Sequence, residues 1–159
     1  MKILKTPPKH LEREHIIAVQ GGSDKVNRAA LTNKVDILID PHLGERKDNY
    51  HQRNSGLNQV LLNLAKENKV AIGFSFKIIL NDKNRPTNLG RIIQNIKLCR
   101  KYKVKMVIIE YENRNETDVQ ALFKVLGMTG KEIIESNTYQ ETKLKYKKSY
   151  VMKGVKLVE

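Results

Sequence analysis

The side chains able to do chemistry in this sequence fall into two groups. The first is a loop that carries Asp40, His42, Asp48 and His51; His10 and His15 are the only other histidines. Asp40-Pro41-His42 follows an apolar run, the position at which a barrel enzyme places active-site groups. A hydrolytic metal centre takes three or four ligands from several strands. Here the candidates crowd one loop, and the other apolar runs end in Gln20-Gly21, Phe76-Lys77 and Tyr111-Glu112. A chain turn at Asp40 with solvated histidines explains the same residues. The second group is cationic. Arg46, Lys47 and Arg53 lie in that loop, and Arg91, Lys97, Arg100, Lys101, Lys103 and Lys105 lie on and just after one amphipathic stretch. Lys143, Lys145, Lys147, Lys148, Lys153 and Lys156 load the C-terminal end, interleaved with Tyr139, Tyr146 and Tyr150. Arginine offers a planar fork to phosphate and lysine a mobile point charge, while tyrosine stacks on unpaired bases.

The overall balance points the same way. Thirty Lys and Arg against 17 Asp and Glu give a formal charge of +13. A surface charged only for solubility carries a magnitude of roughly 2–8, so this excess points to nucleic acid as the partner. A composition 40% hydrophobic and 30% charged is that of a folded domain. No apolar run approaches the roughly 20 residues of a spanning helix, and no membrane partner is expected. Met1–Lys5 is too short for a signal peptide. Cys99, alone of its kind and on an apolar stripe, fits a reducing compartment, so a cytoplasmic location is expected. Ser75, Cys99 and Ser149 have no His or Asp partners nearby in sequence. Gly21-Gly22-Ser23-Asp24 could present free amides to an anion. It matches neither the ATP loop nor the dinucleotide fingerprint, and a tight turn plus helix cap accounts for it.

These groups must be positioned by a regular frame. Residues 1–6, His15–Gln20, Val35–Asp40, Val70–Phe76 and Val104–Tyr111 read as strands, four of them dense apolar runs. Between them, helices are expected from Ser23 to Leu31, from Leu57 to Asn68 with Ser55 as cap, and from Leu89 to Tyr102. Residues 9–14 read as one helical turn and residues 80–86 as polar loop. A further helix starts at the Thr117-x-x-Gln120 capping box and stops at Gly127, with a turn over residues 131–136. Buried strands alternating with helices mean a parallel sheet covered by helices. A complete eight-unit barrel takes about 250 residues, so the residues alone leave an open α/β sheet or an incomplete barrel. Residues 1–138 are expected as one such domain and residues 139–159 as a basic tail with a short apolar finish.

The order of several segments resembles the archaeal ribonuclease P protein component 3 family, which matches the thirty-kilodalton subunit of the eukaryotic enzyme. The segments are GG-(4 residues)-NRAA at Gly21–Ala30, VDIL at Val35–Leu38 and P-x-L-G-x-R-K-D at Pro41–Asp48. SGLNQVL at Ser55–Leu61, LAKENKVAI at Leu64–Ile72 and LCRKYKV at Leu98–Val104 continue the series. The resemblance implies an incomplete TIM-barrel-like sheet with flanking helices, related to the metal phosphoesterase barrels and shortened at its N-terminus. It implies a non-catalytic subunit of a ribonucleoprotein endonuclease whose RNA carries out tRNA processing, removing the 5′ leader from precursor tRNA. The expected partners are the catalytic RNA, protein component 2 and the other protein subunits, with precursor tRNA reached indirectly. No cofactor is expected on this chain; Mg2+ is expected at the catalytic RNA.

Carried over position by position, the resemblance assigns RNA contact to Arg28, Arg46, Lys47, Lys69, Arg100 and Lys101. The charge clustering adds Arg91 and Lys97. Two rivals stand beside this reading: a metal-dependent phosphoesterase on a related barrel, and a basic scaffold that binds proteins.

Overall fold

The computed structural model describes residues 1–8, 14–109, 114–152 and 155–156, from Tyr150 onward by backbone alone. His10, most of the helical turn expected at 9–14, the end of the strand expected to reach Tyr111, and Lys153 lie outside these residues. Five parallel strands form one sheet: β1 (Lys2–Leu4), β2 (Ile17–Gln20), β3 (Ile37–Ile39), β4 (Ala71–Ser75) and β5 (Met106–Ile109). Their spatial order is their chain order, with Val19 beside Leu38, Leu38 beside Ile72 and Gly73 beside Val107. A doubly wound sheet reverses its strand order at a switch point, and this sheet does not. Right-handed crossovers then put successive helices on one face. The result is an arc of a TIM-barrel-like fold.

Side chains alternate across the arc with period two. Val19, Leu38, Ile72, Phe74, Met106 and Ile108 join the core under the helices. Ala18, Ile37, Ile39, Ala71, Val107 and Ile109 form a second buried cluster on the other face. The covering helices are α1 (Asp24–Thr32), α2 (Gln59–Glu67), α3 (Phe76–Asn81), α4 (Arg85–Tyr102), α5 (Glu116–Val125) and α6 (Gly130–Ser149). Ser23 caps α1 as its sequence suggests, accepting from Val26 N at 3.3 Å. Four starts differ from expectation, among them α4, which begins at Arg85 within the expected loop and not at Leu89. Asn58, not Ser55, caps α2, and Asn115, not Thr117, caps α5. Ser75 ends β4 and at once caps α3, so the expected strand end and polar loop contain an extra helix.

The largest difference is α6. Residues 139–149, expected as tail, are the second half of this helix. Thr129 and Glu132 start it with a reciprocal capping box: Thr129 N donates to Glu132 Oε2 (2.7 Å) and Glu132 N to Thr129 Oγ1 (3.3 Å). Ser136 Oγ accepts the outward N–H of Ile108 at 2.8 Å, covering the β5 edge. Tyr139 then packs in the second core cluster and donates to Asp36 O at 3.0 Å. Buried Asp36 accepts from Ile17 N (2.9 Å) and from Lys147 Nζ (2.8 Å), with Lys143 Nζ at 3.6 Å. Burial pulls the Lys143 ammonium below its ordinary pKa, and the neighbouring Asp36 restores only part of the shift. So α6 wraps one sheet edge and passes beneath the N-terminal ends of the strands. The backbone beyond it pairs Tyr150–Met152 with Val155–Lys156 as a small antiparallel β6–β7 sheet.

Each helix-to-strand joint leading into the parallel sheet repeats one local geometry. Lys34, Lys69 and Lys103 follow α1, α2 and α4 with φ of 58°, 55° and 58°. The valine after each lysine donates to a carbonyl five residues back: Val35 to Ala30, Val70 to Ala65 and Val104 to Cys99. This is the Schellman ending, in which glycine normally takes the left-handed position. The joint after α5 does use glycine, Gly127 at φ 111°. A lysine there costs on the order of 1 kcal/mol. Lys34→Gly is therefore expected to raise stability by about that amount in urea denaturation, and a loss of stability would contradict the joint geometry.

Candidate functional site

At the C-terminal ends of the strands, loops meet around the side chain of Asn27, fully buried on α1. Its Oδ1 accepts from Gly22 N at 3.1 Å, and its Nδ2 donates to Pro41 O (3.0 Å) and Gly56 O (3.2 Å). One amide thus ties the turn after β2 to both ends of the long loop after β3. Gly56 sits at φ 75°, and a Cβ there would lie 1.9 Å from Pro41 O, so the closure admits only glycine.

Two arginines fill the loop. The Arg46 side chain is 5% exposed. It donates to Leu43 O (3.1 Å), Asp24 Oδ1 (2.5 Å), Asn54 Oδ1 (3.3 Å) and Gly22 O. Arg91, buried on α4, donates to Asp48 Oδ1 (3.0 Å), Asn88 Oδ1 (3.3 Å) and Arg46 O (2.8 Å). Partial burial pushes the Asp48 carboxyl up, but the Asn54 amide and Arg91 outweigh it and hold its pKa below the ordinary value. The guanidinium of Arg53 lies against Gly90 of α4, whose missing Cβ makes the space. The planar forks of Arg46 and Arg91 are thus occupied by carbonyls and carboxylates of the loop itself. A cleft of about 430 Å³ remains between Gly44, Arg46, Asn84, Asn88 and Arg91.

The residues that suggest metal chemistry have other surroundings. Asp40 Oδ1 accepts from Ser75 N at 3.0 Å, fastening β3 to the start of α3. His42 is buried and its pKa falls to about 4, first through desolvation and then through Arg91 and Arg46, against an upward pull from Asp82. It is neutral at pH 7. His51 is exposed. Among the described residues, no three His, Cys, Asp or Glu side chains come together in a metal-binding group, and no helix is long and apolar enough to cross a membrane.

The eight cations expected to contact RNA occupy three places. Arg46 and Arg91 lie inside the loop network, with Lys47 exposed nearby and Arg28 exposed on α1. Lys97, Arg100 and Lys101 lie on the outer helix α4, where Arg100 pairs with Glu132 at 2.6 Å and donates to Gly127 O at 2.5 Å. The hydrogen bond from Arg100 outweighs partial burial and drops the Glu132 carboxyl to about 2. Lys69 is at the opposite end of the sheet, beside Lys66, Lys103, Lys105 and Lys143 around a groove of about 310 Å³. The sequence shows these lysines but not their convergence, because they come from α2, two αβ joints and α6. Asn27 is a site residue that sequence reasoning misses; its signal is a polar residue on the helical face that Ala30 and Leu31 bury.

The pattern of RNase P subunit p30 matches residues 2–147. The chain belongs to the ribonuclease P p30 subunit family. Ribonuclease P protein component 3 of Methanosarcina acetivorans is 35% identical over 156 residues, covering 91% of this chain and 62% of that protein. The protein of the same name from Methanocaldococcus jannaschii is 38% identical over 132 residues, covering 77% and 54%. A chain in the cryo-electron microscopy structure of archaeal ribonuclease P with mature tRNA superposes with a TM-score of 0.71 at 31% identity. That match covers 91% of this chain and 65% of the other. The chain thus spans 54–62% of the length of these two p30-family relatives.

Two outcomes follow for this p30-family loop. Arg46→Lys keeps the charge but loses the fork, leaving buried carbonyls unpaired, and should cost about 2–4 kcal/mol in urea denaturation. Because His42 is neutral in the fold and has an ordinary pKa near 6.5 when unfolded, the unfolded chain binds the extra proton. Stability is complete above about pH 6.5 and declines as pH falls toward about 4, by on the order of 3 kcal/mol. His42→Gln should flatten that stretch of the stability–pH curve, and a curve as steep as that of the parent would contradict the assignment.

Proposed function

We propose that this chain acts as a protein subunit of ribonuclease P, binding and supporting the catalytic RNA while the 5′ leader of precursor tRNA is removed. The observation that carries this reading is the p30 match over residues 2–147, on a frame whose outward cations are largely unpaired. Exposed Arg28, Lys47, Lys97 and Lys101 make no ion pair among the described residues. Their charge is available to phosphate, whereas that of Arg46 and Arg91 is neutralised inside the loop.

The mechanism is electrostatic. Phosphates crowded by RNA folding repel one another, and a rigid array of ammonium and guanidinium groups lowers that repulsion by displacing condensed counterions. The endonuclease chemistry, a hydrolase reaction, belongs to the RNA and to the Mg2+ it holds; this chain supplies no catalytic residue. Protein component 2 is the direct protein partner, beside the other subunits, and the compartment is the cytoplasm.

The triple variant Lys47→Glu, Lys97→Glu and Lys101→Glu tests this in a mixture with the catalytic RNA and component 2. All three positions are exposed, so the melting temperature should not change. RNA affinity should fall roughly tenfold or more, and the salt slope should shrink by about 0.7–0.9 for every phosphate that is no longer neutralised. Unchanged affinity and slope would reject the reading.

A further inference from the structure

The groove beneath the sheet combines features that the loop end lacks. Its rim carries Lys66, Lys69, Lys103, Lys105 and Lys143, and among the described residues no carboxylate lines it. Its floor is apolar, built by Ala65, Val70 and Val104, and Tyr146 of α6 forms a wall. Lys69 Nζ lies 3.4 Å from the Tyr146 hydroxyl and 5.4 Å from the ring centroid. Those two distances place the ammonium beyond the hydroxyl end of the ring and not over its face.

The backbone explains how two of these lysines reach the rim. Lys69 and Lys103 both hold left-handed φ at helix ends that glycine adopts with less strain, and the following joint, at Gly127, uses glycine. Lys34 holds the same φ after α1, so the strain belongs to the joints; what sets Lys69 and Lys103 apart is that their joints bring both side chains to this groove. Among the described residues, the Lys69 ammonium meets only Tyr146, at 3.4 Å from its hydroxyl and 5.4 Å from its ring centroid. Lys103 has no side-chain partner among the described residues.

We infer that this groove receives one unpaired nucleotide of an RNA strand, with its base against Tyr146 and the apolar floor and its phosphates on Lys69, Lys103 and Lys105. The inference rests on the RNA-binding reading and adds to it a place and a chemical class. A volume of about 310 Å³ suits one flipped-out nucleotide. An acidic helix would need a longer groove with apolar anchors on successive turns. Recognition of splayed bases by aromatic walls and cationic rims is the usual chemistry of single-stranded RNA sites.

Anisotropy of a fluorescent six-residue oligouridylate tests it, with an abasic oligomer of the same length and a hexaglutamate peptide as competitors. The full chain should bind the oligouridylate at least about fivefold tighter than the abasic oligomer, the gain expected of one stacked base. Tyr146→Leu should erase that difference and Tyr146→Phe should keep it. The double variant Lys69→Gly and Lys103→Gly should weaken binding of both oligomers while melting at or above the parent temperature, since glycine relieves both joints. That pairing of weaker binding with undiminished stability is not expected of lysines with a merely structural role. Equal affinity for uridylate and abasic oligomers, or unchanged affinity in the double variant, would overturn the inference. Displacement by hexaglutamate as effective as by oligouridylate would overturn it in favour of an acidic peptide. If the catalytic RNA binds with component 2 and the oligouridylate does not, the groove assignment fails while the RNA-binding reading stands. If neither binds, both fail.

Discussion

The loop end of the molecule depends on one buried amide. Asn27 offers both an acceptor and two donors, and it uses them on the backbone of Gly22, Pro41 and Gly56. Buried peptide groups without partners are costly, so the turn after β2 and the two ends of the loop after β3 can close only if something satisfies them together. A side chain from the first helix does this because α1 begins directly at the β2 turn. Arg46 and Arg91 then complete the loop with their forks. The outcome is a barrel-like end filled by its own polar groups, at the place where enzymes of this fold keep their reacting side chains.

The positive charge divides by chemistry. Guanidinium groups with several rigid donors suit converging carbonyls, and two of them, Arg46 and Arg91, are consumed inside. Ammonium groups on flexible stems are poor at that task and stay outside, as at Lys47, Lys97 and Lys101. The exceptions are Lys143 and Lys147, which reach the Asp36 carboxylate beneath the sheet. A net charge counted from the sequence cannot distinguish these fates, because pairing depends on which segments meet.

Much of the frame is legible in the sequence. Five strands, the helices after Ser23, Leu57 and Thr117, the helix ending at Tyr102 and the parallel α/β class follow from apolar runs and turn residues, and segment order leads to the family. What stays hidden has a physical cause in each case. Helix α6 buries Ile133, Ser136 and Tyr139 and then aims Lys143 and Lys147 at Asp36, so its inward face carries no continuous apolar stripe. Its start is nevertheless written as Thr129-x-x-Glu132, a legible capping box. Helix α3 is concealed because Ser75 is both the last strand residue and the cap. That Arg46 and Arg91 are buried and paired within the loop is not legible, because position along the chain says nothing of burial.

The reach of α6 has a consequence for how the chain assembles. Asp36 meets Tyr139 across 103 residues and Lys147 across 111. Contacts this distant along the chain close slowly and late. During synthesis, the first three strands are complete long before the helix that seals them exists. The Asp36 carboxylate therefore gains its counter-ions only when this later helix is made, and α6 acts as a latch across strands that precede it in the chain.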